Sequence, residues 1–209
     1  MKNTLPTHLF RIVFVAVLSL SHFAMAQAFK VDVDKPKFDD LQSPDVGGNT
    51  GKKNFKPKDW LEVEVKFKVT SSVKTDTHAD RVTVRWYVAA KVVEGGSSKT
   101  RVLEKEINFV NVPLNEDIYA SVYLSPSAVK RISGSDNAGK SVVEGVGGEI
   151  LVNGTAAYKN SGFFSTESKS KGKWWDSMSR YNKIPLRNKN ETPFKFLWWD
   201  RYAEIEERR

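Results

Sequence analysis

The chain has 209 residues, three histidines, no cysteine and a formal net charge of +8 at pH 7. Without cysteine there is no disulfide, no thiol nucleophile, no thiolate metal ligand and no lipidated N-terminal Cys. The length allows one sizeable core or two small ones, and stability has to come from burial alone.

Lys2 and Arg11 precede an apolar run from Ile12 to Leu20, which ends in Ala24-Met25-Ala26. A charged start, a short apolar core and an Ala-x-Ala site predict a secretory signal peptide over residues 1–26, cut before Gln27. The run is shorter than the about 20 residues that a membrane-spanning helix needs. Cleavage removes Lys2, Arg11, His8 and His22, so the exported chain carries +6 and keeps His78 as its single histidine. Its charges are spread along the chain rather than gathered in blocks. That pattern belongs to solvated sheet faces, and it predicts no specific nucleic-acid partner.

Phe29 to Val33 predicts a short first strand. Asp34 to Lys58 is rich in Pro, Gly, Asn, Asp and Lys, so residues 27–58 read as a strand followed by an extended loop, with Phe38, Leu41 and Phe55 as candidate anchors. Residues 59–209 then form a β-sandwich domain continuous with it. Its clearest signal runs from Asp59 to Val93. Leu61, Val63, Val65, Phe67 and Val69 alternate with Glu62, Glu64, Lys66 and Lys68, and Val82, Val84, Trp86, Val88, Ala90 and Val92 repeat the pattern.

Glu94-Gly95-Gly96-Ser97 predicts a hairpin into a strand from Thr100 to Val112, whose phase is mixed. Leu103, Ile107 and Phe109 share a face with Lys105, as a bulge or an edge position would allow. Ile118 to Leu124 predicts a fifth strand. Ser125-Pro126 caps a short helix to Ile132, with proline where no donor is lost. Ser133 to Gly148 reads as flexible, Glu149 to Tyr158 as a sixth strand with Gly154 at a bulge or close approach, and Asn160 to Lys173 as a loop. Trp174 to Met178 predicts one helical turn, Phe194 to Tyr202 a seventh strand and Ala203 to Arg209 a charged tail. The expected fold is all-β: an immunoglobulin-like antiparallel β-sandwich of about seven strands with one short helix.

The letters of Gly134 to Ser141 match a phosphate-cradling loop, G-x-x-x-x-G-K-[ST]. That loop needs a strand before it and a helix after it. Here a helix precedes and the Gly- and Val-rich stretch Val142 to Gly148 follows, so no nucleotide is expected. His78 lies near Asp76 and Asp80 in a polar stretch and reads as solvated. No cofactor, metal ligand set or catalytic residue is predicted. The sequons at Asn153 and Asn190 read as chance matches.

The last quarter is crowded with aromatics and cations. Alternation places Phe194, Phe196 and Trp198 on one face, the pattern of a core strand. Trp174 and Trp175 lie outside any clear strand. With Arg180 and Tyr181 they are the candidate binding residues, either touching a ligand or folding back over the sandwich.

Taken together, the Ala-Met-Ala signal, Trp60 to Phe67, Arg81 to Val88 and Phe196-Leu197-Trp198-Trp199-Asp200 resemble secreted, immunoglobulin-like, type IV pilus-associated proteins of verrucomicrobial gut bacteria. The resemblance covers most of the exported chain and rests on fold-bearing strands. It implies a non-enzymatic protein at the cell surface or outer membrane, with other pilus or surface proteins as partners. A pilin keeps its apolar N-terminal helix as the fibre stalk, whereas this signal is expected to be removed, so an accessory role fits better. The alternative from the residues themselves is a secreted glycan-binding module, and self-association is left open.

Overall fold

The computed structural model describes residues 29–45, 56–135, 139–168 and 171–207. The signal-peptide expectation, the Phe55 anchor and residues 136–138 of the phosphate-loop match lie outside the described residues. The strands are β1 (Phe29–Val33), β2 (Lys37–Gln42), β3 (Asp59–Ser71), β4 (His78–Glu94), β5 (Ser97–Pro113), β6 (Ile118–Leu124), β7 (Val143–Val152), β8 (Thr155–Ala156), β9 (Phe163–Ser165), β10 (Arg187–Asn188) and β11 (Glu204–Ile205), with one α-helix, α1 (Pro126–Ser133). They form two antiparallel sheets. Sheet A runs β1-β3-β6-β10 with β2 also on β3, and sheet B runs β11-β5-β4-β7-β8 with β9 also on β7.

The core lies between the sheets and is built from the alternating rows. Leu61, Val63, Val65, Phe67 and Val69 of β3 face Val82, Val84, Trp86 and Val88 of β4, each at most 1% exposed. At about 1.5–3 kcal/mol per fully buried aliphatic or aromatic side chain, these rows are the main favourable term in a chain without disulfides. Trp86 lies edge-on to Phe164 at 5.2 Å between ring centroids, and its indole N–H has no hydrogen-bond partner.

The β4–β5 hairpin closes through Gly95 (φ 58°) and Gly96 (φ 79°). Two central residues at positive φ make the turn whose twist matches its strands. The mixed phase of β5 also has a local cause. Asn111 adopts φ 53° and interrupts the ladder, so the inward row Leu103, Ile107 and Phe109 gives way to Val112, opposite Ala79. Lys105 shares the inward row, and its ammonium reaches the Glu191 carboxylate at 3.1 Å. Ser125 caps α1 by accepting from the Ala128 N–H, Pro126 opens the first turn, and Gly134 (φ 70°) ends it.

Several elements differ from expectation. Residues 37–42 form a strand rather than loop. β2 has two apolar residues, Phe38 and Leu41, three positions apart; its ladder to β3 holds it, and the partly buried Phe38 packs against the core as an anchor. Val143 to Gly148 is the start of β7, in the middle of sheet B, and not a flexible link. β7 ends at Val152, and Asn153 (φ 49°) with Gly154 (φ 78°) makes a tight turn into β8, so Gly154 belongs to a turn and not to a bulge. Phe163–Ser165 is a strand on β7, and the charged tail contributes β11 to β5. The largest correction is at Phe194 to Tyr202. Thr192 accepts from the Phe194 N–H and Pro193 opens a 3-10 turn to Phe196, followed by a second turn at Trp199–Arg201. The predicted seventh strand is a strap laid over the sandwich.

Candidate functional site

The last quarter of the chain lies over part of each outer sheet face. On sheet B the covering residue is Trp175, 1% exposed, in the 3-10 turn Trp174–Ser177. Its ring stacks on Tyr87 (centroids 4.8 Å, planes 10° apart) and on Phe163 (5.4 Å, 21°). Ala89 and Val102 complete a small apolar cluster outside the main core. Gly147 makes room for it, because a Cβ there would overlap the Trp175 ring. Trp174 is half-buried, edge-on to Trp175, and its indole N–H donates to Ser165 Oγ at 3.0 Å.

The four candidate binding residues are thus brought together, but as the fastening of this strap. Arg180 donates to the Trp175 and Met178 carbonyls, pairs with Glu104 at 2.9 Å and lies over the Tyr87 ring. Tyr181 is buried, with a backbone N–H to Val102 O bond at 2.8 Å. Of the two open readings for Trp175, folding back over the sandwich is the one observed. Its ring has no face left for a ligand.

On sheet A the outward row of β3 and β6 is polar: Glu62 lies opposite Tyr123 and Glu64 opposite Ser121. Tyr123 donates to Glu62 at 2.7 Å, and Tyr202 and Arg201 bind Glu64 at 2.7 and 2.6 Å. Phe194 is buried on this face, stacked on Tyr123 at 5.4 Å and edge-on to Trp60 at 6.0 Å. Lys189 is buried as well, with its ammonium over the Tyr202 ring at 5.0 Å and the Trp199 ring at 5.6 Å.

Burial holds the Lys189 ammonium below the usual lysine range. Burial likewise raises Glu62 above the ordinary 4.5, against the lowering effect of the Tyr123 hydrogen bond. A carboxyl whose pKa is higher folded than unfolded opposes folding when ionised, and its contribution improves as pH falls through the native value. Glu62→Gln retains the acceptor for Tyr123 and removes the charge. The variant is therefore expected to be more stable than wild type at pH 7, with the difference shrinking as pH approaches 4.5 from above. Urea unfolding between pH 4 and 8 checks this, and parallel pH profiles for the two proteins would refute it.

Where the strap's two 3-10 turns meet, the chain projects. Phe196 is 71% exposed, Trp199 62% and Trp198 45%. This corrects the expectation that Phe194, Phe196 and Trp198 form a core face, which holds for Phe194 only. Trp198 stacks on Phe194 at 6.2 Å and sits at φ 56°. A bulky residue in left-handed backbone costs of order 1–3 kcal/mol and persists only where its surroundings hold it. Here the buried Phe194 ring and the Arg201–Glu64 pair hold it from both sides. Lys195 lies over the Phe196 ring at 5.8 Å, and Arg201 over Tyr119 at 3.8 Å. The alternation of apolar residues concealed this projection, and Pro193 after a threonine was the signal against a strand.

A groove of about 1060 Å³ is lined by Val31 to Lys35 of β1 and its exit and by residues of β7 to β9. The Asp34 N–H bonds Lys66 O while the Val31 N–H turns away from β3 to Ser161 Oγ at 3.0 Å. By antiparallel alternation, Val31 and Val33 point their backbone groups outward along this edge. Elsewhere, His78 is exposed at the start of β4 with Nδ1 3.0 Å from Thr77 Oγ1, and no metal-ligating cluster occurs among the described residues. Lys140 pairs with Asp39 at 2.7 Å and opens a three-residue 3-10 turn that leads into β7. Among the described residues no α-helix follows Lys140, as a phosphate cradle would need. Asn153 is exposed in its turn, with its side-chain oxygen accepting from the Arg81 N–H at 3.0 Å.

A crystal structure of a protein from Akkermansia muciniphila is similar over 87% of this chain and 95% of its own, at 34% sequence identity and a TM-score of 0.75. Among curated proteins no significant match is found. A family model matches residues 22–209, and the chain belongs to that family.

Proposed function

We propose that this chain is an exported, non-enzymatic, immunoglobulin-like protein of the cell surface or outer membrane, associated with type IV pilus machinery and acting through protein contacts. The observation that carries the reading is the projection at Phe196, Trp198 and Trp199. The last quarter of the chain docks several of its rings on the outer sheet faces and still leaves three large aromatic side chains in solvent within four residues. Clustered exposed aromatics beside cations are typical of the centre of a contact surface. The likeness to a protein of Akkermansia muciniphila, a verrucomicrobial gut bacterium, supports the resemblance to proteins of such bacteria; the pilus setting is what that resemblance implies.

The test is in cells. After fractionation with and without the pilus secretin, the protein is expected in the outer-membrane or surface fraction only when the secretin is present. Phe196→Ala with Trp199→Ala is expected to lower its crosslinking to surface proteins at least about tenfold, the loss of one good anchor. Unchanged fractionation and unchanged crosslinks would refute the reading. The exposed indoles of Trp198 and Trp199 favour one second reading, glycan binding. Retention on mucin or polysaccharide that is lost in Trp199→Ala would select it.

A further inference from the structure

Phe196, Leu197, Trp198 and Trp199 form an unbroken apolar run, and three of the four side chains are exposed. Exposed runs of this length are errors in a sequence unless they serve a function. The 3-10 turn that carries Trp199 also carries Arg201, whose guanidinium lines a pocket of about 170 Å³ on sheet A. Lys35, Lys37 and Lys66 line it too, together with the acids Asp34 and Glu64. Both acids are neutralised within the chain, Asp34 by Lys66 at 3.2 Å and Glu64 by Arg201 at 2.6 Å. The exposed Lys35 and Lys37 are left without an ion-pair partner among the described residues. Lys195, over the Phe196 ring, adds a third uncompensated cation, and the exposed Asp200 of the turn stands against them.

We infer that the Phe196–Trp199 tip enters the interface of an anionic phospholipid bilayer, with Lys35 and Lys37 in the adjoining pocket holding a lipid phosphate. This goes beyond the protein-contact reading, because it gives the same projection a lipid surface to enter.

Three observations favour lipid. Phe196 is the most exposed of the rings and has no polar atom with which to bond a sugar or a peptide. Trp198 and Trp199 each join an apolar body to an indole N–H without a partner among the described residues, the combination that places tryptophan at membrane interfaces. Size decides between lipid and protein. Three rings bury about 450–750 Å² together, less than the about 800 Å² that each partner contributes to a standard protein interface. A bilayer needs no matching surface. Each cation near an anionic bilayer adds about fivefold to partitioning, so Lys35 and Lys37 supplement the small apolar area.

Cosedimentation of purified protein lacking residues 1–26 with lipid vesicles tests this without any protein partner. Wild type is expected to bind vesicles of mixed phosphatidylcholine and phosphatidylglycerol, and to bind pure phosphatidylcholine far more weakly. Phe196→Ser with Trp199→Ser, at exposed positions, is expected to lower partitioning at least about tenfold on both, the worth of one buried aromatic. Lys35→Ala with Lys37→Ala is expected to lower it about 25-fold on the anionic vesicles and to leave phosphatidylcholine unchanged. Brominated acyl chains are expected to quench tryptophan fluorescence in wild type and not in the projection variant. Inorganic phosphate is expected to weaken binding no more than chloride at the same ionic strength. A loss with phosphate as large as in the lysine variant would make the pocket a free-phosphate site and overturn the lipid assignment. Wild type that stays in the supernatant with anionic vesicles overturns the inference, as does binding that survives in the projection variant. If the vesicles fail while crosslinks to surface proteins in cells still depend on Phe196 and Trp199, the lipid partner falls and the protein-contact reading stands.

Discussion

Trp175→Ala is expected to destabilise the protein by about 3–5 kcal/mol, the range for truncating a fully buried large aromatic whose surroundings collapse only in part. The side chain joins β4 through Tyr87 and Ala89, β5 through Val102 and β9 through Phe163. The gap is bounded by strands that cannot close over it, since Gly147 beneath brings no side chain to fill it. The strap lies outside the main core, so the damage divides between global and local opening. Urea unfolding should show the lower midpoint, and amide exchange should show faster opening of residues 171–184 under native conditions. Trp174→Ala, at a half-buried ring with one hydrogen bond, is expected to cost clearly less. A loss below about 1 kcal/mol for Trp175→Ala, the level of an ordinary surface change, would mean that the strap is not fastened by this ring.

Gly148→Ala is expected to be at least as damaging, for the opposite reason. Gly148 lies opposite Trp86 in the β4–β7 ladder, and a Cβ there would overlap both the Arg85 carbonyl oxygen and the Phe164 ring. The ring can turn, but the carbonyl is held in the centre of sheet B, so relief requires parting two strands. Overpacking costs of about 1–3 kcal/mol are usual, and more is expected where backbone is the obstacle. Gly154→Ala separates this effect from conformational strain. That glycine has φ 78° with nothing within 4 Å of a Cβ, and its replacement is expected to cost about 1 kcal/mol. Thermal unfolding of the two variants checks the ranking, and equal losses would refute the steric argument.

These glycines also show where local sequence misleads. Gly145, Gly147 and Gly148 read as a flexible link because glycine disfavours strands. In the folded protein Trp174, Trp175 and Phe164 lie close against them, so the glycines admit side chains from distant segments. Nothing within ten residues of Gly147 encodes Trp175.

The alternating rows of β3, β4 and β6, the Gly95-Gly96 turn and the Ser125-Pro126 helix start were legible because each is set by period-two burial or by the backbone preferences of adjacent residues. They sufficed to specify two antiparallel sheets around one apolar interior. The candidate site was not legible, because it depends on which outer face each part of the last quarter covers. Residues 174 to 202 hold Trp, Phe and Tyr in numbers that suit either a core strand or a strap. Only the assembled sheets, with a glycine-bared patch on one face and a Glu62–Glu64–Tyr123 row on the other, decide that Trp175 and Phe194 dock and that Phe196, Trp198 and Trp199 are left outside. Burial follows from the surfaces available to receive each ring, and those surfaces exist only once strands far apart in the chain have paired.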